Sequence, residues 1–478
     1  MRKLLYILLT TTLLSSCNNW LDVQPYDRVA EDVAFRSVKG FENALNGIYI
    51  EMNASVLYGS YLSCEMIELM AQRYHVNEGT AYYHDLVEHR YSVEMNQNRF
   101  ASIWEKSYNL IANINKLLEN CEKYRDVLSD EYYQLIKGEA LALRAYLHFD
   151  IFRLFGPLYE SNNNVTKLPY YKTFSLNIRP HFGAGEFMEN VIADLHEAAE
   201  LLENDPVRTE GCWEENTYTF TSFRKMRLNW YAVQLLLARA ELYRDHKPEA
   251  LVAARNVIDA QEKWFPWVNR QNISPGQEDA DRIFFDEIVF GLQNSRISKL
   301  YTAYFNGNTL TSDMLLAPLN SQILKIFENN RDDYRYVAFF STQLTVGSAV
   351  YNLFEKYKTT ADSLSSNLMP MLRLAEAYYI AAESEPNPEE GMQWLNQVLT
   401  HRGLKKMTNS SLLANTLEKE YIREFWGEGQ LFYYYKRLKY TEIIDSDDSQ
   451  WENKINMELA NYQPSIPESE SKYIDMSN

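Results

Sequence analysis

Glu420, Glu424 and Glu428 stand four residues apart, the spacing that lines side chains along one face of a helix. Paired carboxylates are the machinery of glycoside hydrolysis, where one protonates the leaving oxygen and the other attacks the sugar or activates water. That chemistry needs two carboxyl groups facing each other across a cleft. Successive turns of one helix instead place them side by side on a solvated face, so the trio reads as structural. His75, His84 and His89 fall within fifteen residues and raise the question of a metal. Their spacing matches no common zinc pattern and no cysteine or carboxylate cluster accompanies them, so neither metal nor cofactor is expected. The chain holds no Gly-x-Ser-x-Gly elbow, phosphate loop or dinucleotide fingerprint. Catalysis has no visible machinery, and the chain reads as a protein that is not an enzyme.

A second set of residues suits binding without reaction. A sugar ring offers an apolar C–H face to an aromatic ring and hydroxyl edges to polar partners, so a glycan platform needs Tyr or Trp beside Arg, Asn, Asp or His. Gln72-Arg-Tyr-His-Val-Asn77 followed by Ala81-Tyr-Tyr-His-Asp85 has that mixture, as do Trp264-Phe-Pro-Trp-Val-Asn269 and the stretch from Tyr301 to Asn306. The candidate ligand contacts are Arg73, Tyr74, Tyr82, Tyr83, Trp264, Trp267 and Tyr304, all in segments expected to be loops. Tyrosine occurs 35 times, so most of these rings must instead buttress the core. Tyr433-Tyr-Tyr435, which follows a helical signature, is expected to do so.

The elements that would position these residues are helical pairs. Ile136, Ala140, Leu143, Leu147, Ile151 and Leu154 recur at steps of four and three, predicting a helix from Glu131 to Phe155 with one apolar face. Glu139, Arg144, His148 and Asp150 fall off that stripe, Gly156-Pro157 ends it, and Ser129-Asp130 supplies an N-cap. Tyr108, Ile111, Ile114 and Leu118 predict the partner helix over Ile103 to Tyr124. A second pair spans Leu228 to Ala260, turning near Arg244 and reopening at Pro248. A third spans Met371 to Thr400, with Pro386 and Pro388 at the turn. Alanines at the crossings and units of about 34 residues are the physics of tetratricopeptide-like repeats. Between the pairs, 58–99, 162–185 and 264–343 are less regular, with a strand-like run from Arg282 to Leu292. Arg144, Arg373 and Glu376 are expected to form ion pairs between repeats, because charges buried among helices need partners.

The N-terminus carries an address. Arg2 and Lys3 precede an apolar run, Leu4 to Leu14, too short to span a bilayer. Leu14-Ser-Ser-Cys17 resembles the bacterial lipobox, predicting cleavage after residue 16 and lipidation of Cys17. Losing Arg2 and Lys3 moves the formal charge from −18 to −20, a balance that repels nucleic acid. Cys64, Cys121 and Cys212 remain, an odd number too scattered for a disulfide framework, and no bridge is expected. No Ser/Gly/Pro-rich linker divides the chain. It reads as a signal over 1–16 and one domain over 17–478, with repeats at about 103–155, 187–260 and 371–435 and binding loops at about 58–100 and 264–343.

Several segments, in order along the chain, resemble the SusD/RagB family. After the lipobox comes Trp20-Leu-Asp-Val-Gln-Pro25, and then Trp104, Tyr108, Ile111 and Asn115. Gly138-Glu-Ala-Leu-Ala-Leu-Arg-Ala-Tyr-Leu-His-Phe149, Phe155-Gly156, Arg227-Leu-Asn-Trp-Tyr-Ala232 and Leu236-Leu-Ala-Arg239 continue the series. Asn330-Arg-Asp-Asp-Tyr-Arg335, Met369-Pro-Met-Leu-Arg-Leu-Ala-Glu376 and Glu420-Tyr-Ile-Arg-Glu-Phe-Trp-Gly-Glu-Gly429 complete it. The resemblance implies a mainly α fold of four tetratricopeptide-like units under an irregular ligand-binding region. It implies an outer-membrane lipoprotein facing the cell exterior, partnered with a TonB-dependent β-barrel transporter of the SusC/RagA type, to which it passes an oligosaccharide. Two alternatives stand beside that reading: a peptide-binding member of the family, and an assembly scaffold with no ligand. One departure is Gln430, where the family often has arginine after Gly-Glu-Gly.

Overall fold

Caps written in the sequence open several of the helices. Ser129 accepts a hydrogen bond from the Tyr132 amide and starts a helix, Asp130–Phe155, that stops at Gly156; a cap of this kind contributes about 1 kcal/mol. Asn229 and Asn387 do the same for Trp230–Tyr243 and Pro388–His401. The computed structural model describes residues 33–474 except 77–80, 176–180, 214–218, 275–279, 360–365 and 449–451. The signal segment, the lipobox cysteine Cys17, the Trp20 to Pro25 segment and Asn77 therefore lie outside the described residues.

The longer helices are α1 (Val38–Met52), α2 (Glu94–Lys123), α3 (Asp130–Phe155), α4 (Ala184–Leu201), α5 (Trp230–Tyr243), α6 (Lys247–Ile258), α7 (Leu374–Ser384), α8 (Pro388–His401), α9 (Leu413–Glu424) and α10 (Leu431–Arg437). From α2 to α9 each packs on the next in this order, the stacking of a helical-repeat protein. The stacking is tight where α3 meets the end of α4: a Cβ on Gly138 would lie 2.7 Å from Leu202 Cγ, so only glycine lets the two approach. Strands are few and short. Ile288–Gln293 (β1) pairs antiparallel with Leu368–Arg373, and Gln343–Val346 with Ala349–Asn352. Met371, expected at the start of a helix, lies in the strand that feeds α7. The fold is mainly α, with tetratricopeptide-like hairpins and short strands. No described helix is long and apolar enough to cross a membrane.

The one-faced picture of α3 needs correction. From Gly138 to Phe155 every residue of that helix is buried, including Glu139, Arg144, His148 and Asp150. Neighbouring elements cover all sides, so each off-stripe polar group is satisfied inside the protein. Arg144 forks onto Asp194 of α4 with two 2.7 Å bonds, and the Tyr170 hydroxyl donates to the same carboxylate. Glu139 accepts from Arg224 at 2.6 Å and from Tyr49 at 2.8 Å. His148 donates from Nδ1 to the Arg144 carbonyl and accepts at Nε2 from the Tyr171 amide, an arrangement only the neutral ring can make. Arg239 on α5 forks onto Glu376 on α7. These are the ion pairs between repeats that the sequence leads one to expect.

Candidate ligand-binding site

The carboxylate trio forms no catalytic pair, and neither is it a solvated helix face. Glu420 and Glu424 have no exposure and Glu428 has 7%. Only the first two belong to α9; Gly427 and Gly429, both with positive φ, carry Glu428 round a tight turn. Five cations answer the cluster. Arg335 binds Asp333, Glu420 and Glu424; Arg373 binds Glu424 and Glu428; Arg402 bridges Glu424 and Glu287; Arg423 reaches Glu420; and Lys356 pairs with Glu428. Although burial opposes ionisation, the Arg402, Arg373 and Arg335 charges hold the Glu424 carboxyl well below its usual range. A carboxylate locked by three guanidiniums has no lone pair to offer a substrate. The cluster is a structural knot.

Arg73 and Tyr74 are likewise withdrawn from the ligand surface. Arg73 is 2% exposed, donates to the carbonyls of Ile422 and Tyr421 at the end of α9, faces Glu68 at 3.3 Å, and lies 4.4 Å over Trp426. It caps a helix C-terminus, where the carbonyls welcome a cation. Tyr74 is fully buried among Phe305, Phe354 and Trp426, its hydroxyl donating to the Cys64 carbonyl. A loop prediction cannot see that this segment is overlaid by residues 350 positions later.

Tyr82, Tyr83 and Tyr304 do come together. Tyr82 and Tyr83 sit on a short helix, Ala81–Val87, and not on the expected loop, with their rings edge to face at 4.7 Å. Tyr82 is 41% exposed, whereas Tyr83 is buried beneath it. Arg99, from α2, lies 4.6 Å over the Tyr82 ring and is braced by the Asn96 carbonyl at 3.1 Å. Tyr304 ends the helix Ile297–Tyr304, half-buried, its hydroxyl bonded to Ser60 at 3.0 Å; Ser60 also bonds the Glu65 carboxylate. Burial, reinforced by Glu65, Tyr304 and Tyr82, pushes the Tyr83 phenol up. Burial likewise raises the Glu65 pKa against the pull of Ser60, Arg99 and Tyr304. Burial raises the pKa of half-buried Tyr61, with Glu65 and Tyr82 adding to the shift and Arg99 opposing it. Three segments distant in sequence thus build one surface of tyrosine rings edged by a fixed cation. Its carboxylate, Glu65, is sealed at 1% exposure. The arrangement can hold a polyhydroxylated ring; it does not oppose two carboxyls across it.

Ser60, Tyr61, Glu65 and Arg99 were not singled out from the sequence. Arg99 had a detectable signal: it and Asn96 stand four residues before Ile103 and Phe100, on the apolar stripe of α2, where a polar residue is out of pattern. Trp264 and Trp267 lie elsewhere. Trp264 packs on Gly211, whose added Cβ would meet the indole at 2.9 Å, and Trp267 stacks on His401 at 4.7 Å and 11° and leans on Tyr378. Both are only partly exposed. His89 bonds the Met70 carbonyl, and His75 lies 3.4 Å from Asp447. Among the described residues no three His, Cys, Asp or Glu converge as metal ligands would. Cys64, Cys121 and Cys212 are buried and unbridged. Tyr433, Tyr434 and Tyr435 are buried, as expected of core rings. Gln430 accepts from Arg153 at 2.9 Å, so a guanidinium reaches this place from α3 in spite of the missing arginine.

Comparison with known proteins agrees with this architecture. Residues 19–211 match a family model described as starch-binding associating with the outer membrane, and residues 325–474 match the SusD family model. A SusD-like protein of Formosa agariphila is 22% identical over 469 residues, covering 88% of this chain and 86% of its own. A SusD superfamily protein from Bacteroides thetaiotaomicron superposes with a TM-score of 0.70 at 20% identity, covering 91% of this chain and 98% of that one. A SusD-like carbohydrate-binding protein from Bacteroides vulgatus gives 0.66 at 18%, covering 92% and 97%. Two family models that between them match residues 19–211 and 325–474 leave one assignment: the chain belongs to the SusD/RagB family, whose members bind and do not catalyse.

Proposed function

We propose that the protein captures an oligosaccharide at the cell surface and passes it to a TonB-dependent β-barrel transporter of the SusC type, held to the outer membrane by lipid on Cys17. The observation that carries the capture step is the Arg99 guanidinium laid over the exposed Tyr82 ring, with Tyr83 packed against that ring and Tyr304 held nearby through Ser60 and Glu65. Rigid rings lose little entropy on binding, and Arg99 and the tyrosine hydroxyls meet the ligand's hydroxyl edges. The transporter, the lipid anchor and the outward-facing location rest on family membership and on the lipobox. Calorimetry of the purified protein against plant, fungal and host glycans and against peptide digests tests the reading. Saturable glycan binding lost in Tyr82→Ala with the fold intact supports it. Binding to peptides alone transfers the role to the peptide-binding alternative, and silence on both panels leaves the scaffold.

A further inference from the structure

A second site lies where α3, α5, α7, α9 and α10 meet. A narrow cavity of about 40 Å³ opens there between Arg153, Arg239, Tyr243, Glu376, Tyr433 and Arg437, with Leu242 and Ile380 among its apolar walls. A water needs roughly 10–15 Å³ measured this way, so the space admits a few water-sized bodies and no sugar ring. Three polar atoms sealed from solvent in this group have no hydrogen-bond partner among the described residues: Arg239 Nη1, the Tyr243 hydroxyl and the Tyr433 hydroxyl. Their residues are 7%, 4% and 4% exposed. Buried polar groups are nearly always met by a partner, and leaving them unmet is costly.

The cavity wall is rich in hydrogen-bond donors. Arg239 Nε and Nη2 take the Glu376 carboxylate, and Nη2 also takes the Met371 carbonyl, leaving Nη1 on the opposite edge of the guanidinium. The Tyr146 hydroxyl lies beside the same guanidinium. Both Glu376 oxygens are occupied by Arg239, and the Gln430 carbonyl by Arg153. Arg153 and Arg437 are each tied to a carboxylate, Asp150 and Glu383. The unclaimed atoms are therefore a nitrogen that can only donate and two phenols that can donate or accept, set among apolar walls. Water would accept from the Arg239 nitrogen, but its own protons could go only to the two phenol oxygens, the Glu376 carboxylate and the Gln430 carbonyl being engaged. A small, weakly hydrated anion accepts from all three and needs no acceptor. We propose that this cavity binds a monovalent anion of halide size, chloride under ordinary conditions, which ties α5 to α10.

Bromide in place of chloride gives the direct test. Anomalous diffraction from crystals grown in bromide should show a peak within hydrogen-bonding distance of Arg239 Nη1 and the two hydroxyls. In solution at constant ionic strength, replacing gluconate by chloride should raise Tm logarithmically, by about 1–2 °C per tenfold of chloride above the dissociation constant. Tyr243→Phe combined with Tyr433→Phe removes two donors and nothing else, and should abolish both the peak and the chloride dependence. Water-like density without an anomalous peak, a Tm indifferent to the anion, or a peak only at molar bromide (an adventitious ion only) overturns the proposal. Retention of the chloride effect in the double variant overturns it as well.

Discussion

The ion knot around Glu424 and the tyrosine surface around Tyr82 are made from the same residue types, carboxylates, arginines and aromatic rings, and they do opposite work. In the knot, Glu424 is shared by Arg335, Arg373 and Arg402, and every member is sealed. At the surface, Arg99 is spread over a tyrosine that remains 41% exposed. Saturation separates the two: groups whose valences are filled within the protein hold the fold, and groups left partly unfilled at the solvent boundary can hold a ligand. The i, i+4 carboxylates looked like the more chemical feature in the sequence, yet they are the less available one.

Breaking the knot should have the largest effect. Glu424→Ala leaves three buried guanidiniums short of a partner, a loss of about 3–5 kcal/mol of stability that chemical denaturation will register. Glycan binding in that variant should fall only in step with the folded fraction. The next effect is of acid. Burial, the largest cause, holds His148 neutral, with its pKa pushed down to about 3, and likewise His89, down to about 4. The unfolded chain takes up these protons first, so their contribution is full above about pH 6.5 and drains away as pH falls towards 3–4. Glu68, pushed up to about 7 by burial, works the other way, favouring the fold as pH falls from 7 to about 4.5. Comparing His148→Asn with the parent isolates the histidine: below pH 6 the parent should lose up to about 1.4 kcal/mol more per pH unit.

The smaller effects sharpen the contrast. Trp267→Ala removes a ring stacked on His401 and should cost about 1–3 kcal/mol of stability while leaving glycan affinity unchanged. Altered affinity there would place ligand on the Trp267 side of the molecule. Tyr82→Ala should change stability by less than about 0.5 kcal/mol and weaken glycan binding tenfold or more, measured by calorimetry. A Tyr82 variant that destabilises as much as the Trp267 variant would make the surface another piece of packing.

The sequence alone determined the local part of this protein. Helix periodicity, the Ser129 cap, the Gly156 stop and the proline turns all act over four residues or fewer, so they are legible in one strand of text. It also placed Tyr82, Tyr83 and Tyr304 among the candidates, because rings beside polar groups in irregular stretches are compositional facts. What tertiary structure decided is who meets whom. Arg402 finds Glu287 across 115 positions, Gln72 finds Ser446 across 374, and Tyr304 finds Ser60 across 244. Such pairings depend on how the stacked helices bring distant turns together, which no local pattern encodes. For that reason Arg73 and Tyr74 could be read as binding residues until residues 421–426 were seen lying over them, and Arg99 could be overlooked until a helix from another segment laid Tyr82 beneath it.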